Sequence, residues 1–310
     1  RSVLEFARAH GAAPGDLTVA VDCGNGMAGL ATPQVLARLG AAVQALNANV
    51  DGHFPARSSK PTPETLGDLR DFVAAGDAAI GFAHDGDADR IVVVGPDGGV
   101  VHEDTVVAVL ADHYVRSATA ADPVVVTTPN ASGRIDDLVT AAGGRVQRVR
   151  LGALHEGVTR VHREGGGDTR VVFAAEPWKH VHPDFGPWID GVASAAVLTR
   201  PLAATGLREL TAPVAERPYR KESVDCPDER KDGAMATLED SLPAAFPEAA
   251  VDTAHGVRLD LPDGGWTLVR PSGTEPYLRI YAEREAVDSL VDRVRDVVEE
   301  AVREAGDRAA

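Results

Sequence analysis

Long apolar runs are missing from this chain, and none approaches the roughly 20 residues that a membrane-spanning helix needs. No apolar leader opens the sequence as given, so neither membrane insertion nor secretion is expected. Cysteine is scarce. Cys23 and Cys226 cannot build a disulfide framework, and a reducing cytoplasm is the simpler expectation. The first residue is Arg1 and not Met, which suggests a fragment or a processed start. Lysine is nearly absent: of 31 basic residues only Lys60, Lys179, Lys221 and Lys231 are lysines, against 47 acidic residues and a net charge of −16. A field of that sign argues against a nucleic-acid partner. It also suggests a halophilic protein from a high-salt cytoplasm, where screening relieves self-repulsion. What remains, 44% hydrophobic and 25% charged residues over 310 positions, is ordinary for a soluble chain of two or three domains.

Among what is present, His84-Asp85-Gly86-Asp87-Ala88-Asp89-Arg90 stands out. It lies between two short apolar runs, Ala78 to Ala83 and Ile91 to Val94, which read as strands buried on both faces. Alternate residues of extended backbone point to one side, so Asp85, Asp87 and Asp89 can converge on one point. Three like charges that close repel, and a divalent cation reverses the sign of the interaction. Oxygen-only ligation points to a hard ion, Mg²⁺ first. A solvated acidic turn is the plainer alternative. A calcium EF-hand is excluded, because its sixth and twelfth positions would be Arg90 and Pro96 where that loop needs Gly and Glu.

Two strand, turn, helix, strand patterns frame the first two-thirds of the chain. The first runs from Thr18-Val19-Ala20-Val21 through Asp22-Cys23-Gly24-Asn25-Gly26 to a helix over Pro33 to Leu39 and a strand over Ala42 to Leu46. Gly24-Asn25-Gly26 has neither dinucleotide nor P-loop spacing, so a tight turn competes with a phosphate cradle there. The second runs from Val124-Val125-Val126 through a turn containing Asn130 to a helix over Ile135 to Ala142 and a strand at Val146 to Val149. The recurrence suggests duplicated α/β domains. A boundary is expected near Ser117 to Asp122, a helix from Gly191 to about Pro201, and a linker over Ala212 to Asp232. Beyond it the pattern becomes α+β, with strands at Val257 to Leu261, Trp266 to Val269 and Leu278 to Ala282. A final helix carries its apolar stripe from Val287 to Ala301.

Two further clusters carry chemistry. Val171 to Ala175 reads as a strand ending in Glu176-Pro177-Trp178-Lys179-His180-Val181-His182, where an open α/β sheet places its ligand contacts. Each of these residues has an ordinary structural explanation singly. Together, with Trp178 able to stack on a sugar, they form a candidate site. Near the other end, Arg270-Pro271-Ser272-Gly273-Thr274-Glu275-Pro276, continuing to Arg279, combines two guanidiniums, two hydroxyls and glycine-opened amides suited to a phosphate dianion.

These motifs, together with Val21-Asp22-Cys23-Gly24-Asn25-Gly26, resemble those of the α-D-phosphohexomutases, in the family's order over nearly the whole chain. Asp85 to Arg90 resembles the family's Mg²⁺ loop and Arg270 to Arg279 its phosphate-binding loop. The resemblance implies an α/β fold in which two similar three-layer α/β/α domains, residues 1–117 and 118–212, precede a smaller α+β domain, residues 213–310. It implies Mg²⁺ on Asp85, Asp87 and Asp89, and His180 and Arg90 as catalytic residues. Substrate contacts would come from Glu176, Trp178, Lys179, Arg270, Ser272, Gly273, Thr274 and Arg279. The implied partners are a hexose phosphate and a hexose bisphosphate. A phosphoserine donates its phosphoryl group to the sugar and takes back the other phosphate after the intermediate reorients.

Two departures qualify the resemblance. No Thr-Ala-Ser-His-Asn-Pro-like segment occurs in the chain, so the 310 residues alone are expected to lack mutase activity. The family's Gly-Glu-x-Ser-Gly-His pattern appears as Ala175-Glu176-Pro177-Trp178-Lys179-His180, which leaves the hexose open. A catalytically silent sugar-phosphate-binding protein is the alternative. A Mg²⁺-dependent phosphatase would need Thr where Asp89 stands.

Overall fold

The computed structural model describes residues 2–273 and 275–309. They form two compact units, one ending at Ala215 and the other starting at Glu216. In the first unit β1 (Thr18–Asp22) lies between β2 (Ala42–Leu46) and β3 (Ile80–His84), parallel to both, and β4 (Ile91–Val94) closes the edge antiparallel to β3. A second sheet repeats this plan. There β5 (Asp122–Thr127) lies between β6 (Arg145–Arg148) and β7 (Thr169–Glu176), parallel to both, with β8 (Lys179–Val181) antiparallel to β7. The duplication expected from two turns is therefore present strand for strand.

Burial on both faces explains why β1, β3, β4, β5 and the end of β7 read as continuous apolar runs. Val19, Val21, Phe82, Ile91 and Val93 face a core shared with Val125, Phe173 and Ala175 of the second sheet. Into that core pack α1 (Val3–Arg8), α2 (Thr32–Leu39), α4 (Glu103–Ser117), α5 (Gly133–Ala141) and α7 (Gly191–Thr211). The alternate residues Ala20, Ala83, Val92 and Val94 face α3 (Gly67–Ala75), and Val124, Val126, Val171 and Ala174 face α6 (Leu154–Glu164). Each sheet is covered on both sides, which is the three-layer α/β/α arrangement.

In the second unit β9 (Tyr219–Asp225), β10 (Ala250–Asp252), β11 (Val257–Asp260), β12 (Trp266–Pro271) and β13 (Tyr277–Glu283) make an antiparallel sheet of order β10-β11-β12-β13-β9. One face packs on α8 (Asp228–Ala245) and on α9 (Val287–Ala309). The stripe expected on α9 is its buried face, through Val287, Leu290, Val291, Val294, Val298 and Ala301.

Two expectations are corrected and one helix is added. The span from Ala212 to Asp232 is not a linker throughout: it holds β9 and the first turn of α8, and β9 pairs with β13 along its length. Charged residues on both faces of β9, with no apolar run, hid the strand. Helix α7 continues past Pro201 to Thr211, with a non-helical Gly206 inside it. Helix α6, unforeseen, begins at Leu154.

Candidate active site

Asp85 ends up buried, Asp89 half-buried and Asp87 exposed, and one carboxylate oxygen from each lies within 4.8 Å of the others. The loop that gathers them is held from three sides. Inside it, the Arg90 N–H donates to Asp85 Oδ1 at 3.0 Å and the Arg90 side chain pairs with Asp85 at 3.2 Å and Asp89 at 3.7 Å. At its base, the His84 ring joins the Arg90 carbonyl (2.8 Å) to the Thr32 hydroxyl (3.2 Å). Burial holds His84 neutral, with its pKa lowered to about 4.

The turn after β1 forms the second support. Met27 N–H donates to the Gly86 carbonyl at 2.9 Å, and a Cβ on Gly26 would lie 2.7 Å from that oxygen. Gly24-Asn25-Gly26 is thus a tight turn that lets two backbones touch, with Gly24 and Asn25 at positive φ. Beneath it Arg57 Nε pairs with Asp22 at 2.6 Å and its Nη2 donates to the His84 carbonyl at 2.7 Å. Neither Asp22 nor Arg57 was foreseen as part of the site. The Asp-x-Gly-x-Gly turn was a visible signal for the first, while Arg57 sits in an irregular stretch without a pattern.

The β7–β8 hairpin is the third support. Ile91 N–H donates to the Trp178 carbonyl at 3.1 Å, and Arg90 and Lys179 form a β-bridge, so the acidic loop and the sugar-loop candidate share backbone hydrogen bonds. Gly191, at the start of α7, donates to the Ala88 carbonyl at 3.1 Å. Burial, then the adjacent Asp85 carboxyl, raises Asp89 above the usual aspartate range, while Lys179 and Arg90 pull it back. Asp89 also keeps a buried oxygen with no hydrogen-bond partner. Three carboxylates this close, one of them with a buried oxygen that makes no hydrogen bond, fit a hard divalent cation.

The hairpin does not keep all its predicted residues on one side. Glu176 pairs with Lys179, and Ala175 with His180, so Glu176 and His180 face opposite sides of the sheet. Glu176 accepts a hydrogen bond from the Gly152 N–H. His180 is 1% exposed, bonded to Ser194 Oγ at 3.0 Å, and its pKa is lowered to about 3 by burial. Trp178 sits at positive φ in the two-residue turn, half-buried against the core under α3, and not as an open platform. His182 is equally buried, between Tyr114 and Ser194.

In the second unit Arg270 and Arg279 are direct cross-strand neighbours on β12 and β13. Two guanidiniums side by side repel unless something anionic is close. Arg279 meets Glu275 at 3.1 Å, and Arg270 donates to the Tyr281 hydroxyl at 3.2 Å. Ser272 is buried beside them and Gly273 follows it, whereas Thr274 lies outside the described residues.

Comparison with known proteins places the chain in a family. The family model for the phosphoglucomutase/phosphomannomutase alpha/beta/alpha domain II matches residues 3–98, and that for the phosphoglucomutase/phosphomannomutase C-terminal domain matches residues 224–301. A probable phosphoglucosamine mutase of Methanopyrus kandleri is 42% identical over 93% of this chain and 63% of its own length. A phosphopentomutase of Thermococcus kodakarensis is 39% identical over 94% of this chain and 64% of its own. The crystal structure of a phosphoglucomutase/phosphomannomutase family protein from Burkholderia thailandensis aligns with a TM-score of 0.80 at 26% identity, over 98% of this chain and 64% of that one. The chain belongs to the α-D-phosphohexomutase family. It spans 63% and 64% of the length of the two relatives named first.

Proposed function

We propose that these residues are the metal-binding, sugar-binding and phosphate-binding parts of a phosphosugar mutase, which interconverts the 1-phosphate and 6-phosphate of a hexose through a bisphosphorylated sugar. On this reading residues 1–117, 118–212 and 213–310 are successive domains for metal, sugar and phosphate. The observation that supports it is the backbone junction of the Asp85, Asp87 and Asp89 loop with the Glu176 to Lys179 hairpin, which makes neighbours of the residues read as cation and sugar ligands. The names of the relatives make glucosamine phosphate the first substrate to try and a pentose phosphate the second.

Asp85, Asp87 and Asp89 would hold Mg²⁺, which neutralises charge on a transferring phosphoryl group. Arg90, lying across Asp85 and Asp89, adds a guanidinium at the rim of that site. Glu176 accepts hydrogen bonds from sugar hydroxyls, and Lys179 supplies a cation on the same face of the hairpin. Arg270, Arg279, Ser272 and the Gly273 amide grip the phosphate that does not react. Proton transfer is not assigned to His180, whose ring is buried on the other face.

No Thr-Ala-Ser-His-Asn-Pro-like segment supplies a phosphoserine within these 310 residues. An assay of the 310 residues on glucosamine phosphate with a catalytic amount of sugar bisphosphate is expected to show binding without turnover. Turnover by these residues alone contradicts the proposal. A catalytically silent binding protein differs in one outcome: it stays inactive even when a serine-bearing domain is joined ahead of it.

A further inference from the structure

We infer that Lys231, on α8, is the positioning residue that shapes the phosphate loop between β12 and β13. The inference rests on the reading of that loop as a phosphate site. Lys231 is 8% exposed, and its ammonium donates to the Ser272 carbonyl at 2.8 Å and the Glu275 carbonyl at 2.7 Å. The third contact is an ion pair with Asp228 at 2.6 Å, one helical turn earlier. An ammonium has three N–H bonds, and each has a partner here. Burying a charge is costly unless it is satisfied in this way, so the side chain is held in one place.

The consequence for the loop follows from peptide geometry. In a trans peptide the carbonyl and the next N–H point in opposite directions, and no cis peptide occurs among the described residues. Lys231 draws the Ser272 carbonyl toward α8, so the Gly273 N–H points away from the helix. The residue itself is uncrowded: a Cβ built on Gly273 would meet nothing within 4 Å. Ser272 N–H is already engaged with the Tyr277 carbonyl at 3.0 Å, and Tyr277 N–H with the Glu275 carbonyl at 2.8 Å. Lys231 therefore grips both ends of the loop on its inner side and turns an amide donor outward, beside the guanidinium pair of Arg270 and Arg279. The cation acts on an anion through the backbone, without touching it.

The test uses the full 310-residue chain and inorganic phosphate, followed by calorimetry and by the amide resonance of Gly273. In the wild type, the Gly273 amide proton is expected to move downfield as phosphate saturates. Lys231→Met should weaken phosphate binding by at least about tenfold and abolish that movement, with Mg²⁺ affinity unchanged. Lys231→Arg, which still donates to two carbonyls, should stay within about threefold of wild type. Arg279→Ala should weaken phosphate binding whatever Lys231 does. If Arg279→Ala weakens binding and Lys231→Met does not, the inference about Lys231 is wrong and the phosphate site stands. If the wild type binds no phosphate, or Arg279→Ala binds as tightly as wild type, the reading of the loop itself falls. Should Lys231→Met fail to fold, the wild-type Gly273 resonance decides: an unmoved amide overturns the inference.

Discussion

Buried neutral histidines support the first unit from within, and they set its response to acid. His84 keeps its ring between Arg90 and Thr32 with a pKa lowered to about 4, and His180 keeps its ring on Ser194 with a pKa lowered to about 3. An unfolded histidine titrates near 6.5, so below that pH the unfolded chain binds protons that the folded chain refuses. Their contribution to stability is complete above about pH 6.5 and is lost as pH falls toward 4 and 3, at up to about 1.4 kcal/mol per pH unit for each ring. Thermal unfolding between pH 7 and 5 should show the loss, and His180→Gln should reduce its slope; an unchanged slope would remove His180 from the account. At this scale the sequence was readable where spacing dictates geometry, as with Asp85, Asp87 and Asp89. It was unreadable where burial decides the role. His180 looks like a base when written beside Glu176, but strand alternation sends it into the core.

Elements matter here mainly through where their backbones touch. Helix α7 begins against the acidic loop: a Cβ on Gly191 would lie 2.6 Å from the Arg90 carbonyl oxygen and 2.8 Å from that of Ala88. Neither oxygen can swing aside as a side chain would. Gly191→Ala should therefore push the helix off the loop, destabilise the unit by about 1–3 kcal/mol and weaken Mg²⁺ binding. A melting curve and a Mg²⁺ titration check both effects, and an unaltered Mg²⁺ affinity would show that α7 does not support the loop. The inner strands β1, β3, β5 and β7 and the edge strand β4 were legible because both their faces are buried and turn residues bound them. β9 was not, since one of its faces carries Arg220, Glu222 and Val224 and the other Lys221, Ser223 and Asp225, with no apolar run to mark it. β8 is three residues long, too short for a period to show.

On the scale of the chain, the two sheets of the first unit share one plan, and each has a candidate site loop at the carboxyl end of a parallel strand, β3 or β7. The first sheet carries the acidic loop there and the second carries Glu176, and the β-bridge from Arg90 to Lys179 makes neighbours of the two. The repeated turns hinted at this duplication, whereas the bridge pairs residues 89 positions apart and has no local signature. The central claim is that the carboxylates of this junction form a cation site. Asp87 is the exposed member of the trio, so Asp87→Asn removes one charge with the least disturbance to packing. Calorimetric titration of Mg²⁺ into the 310-residue chain tests the claim most directly. One ion per chain should bind in the wild type and none in Asp87→Asn; equal Mg²⁺ affinity in the two proteins would contradict the account.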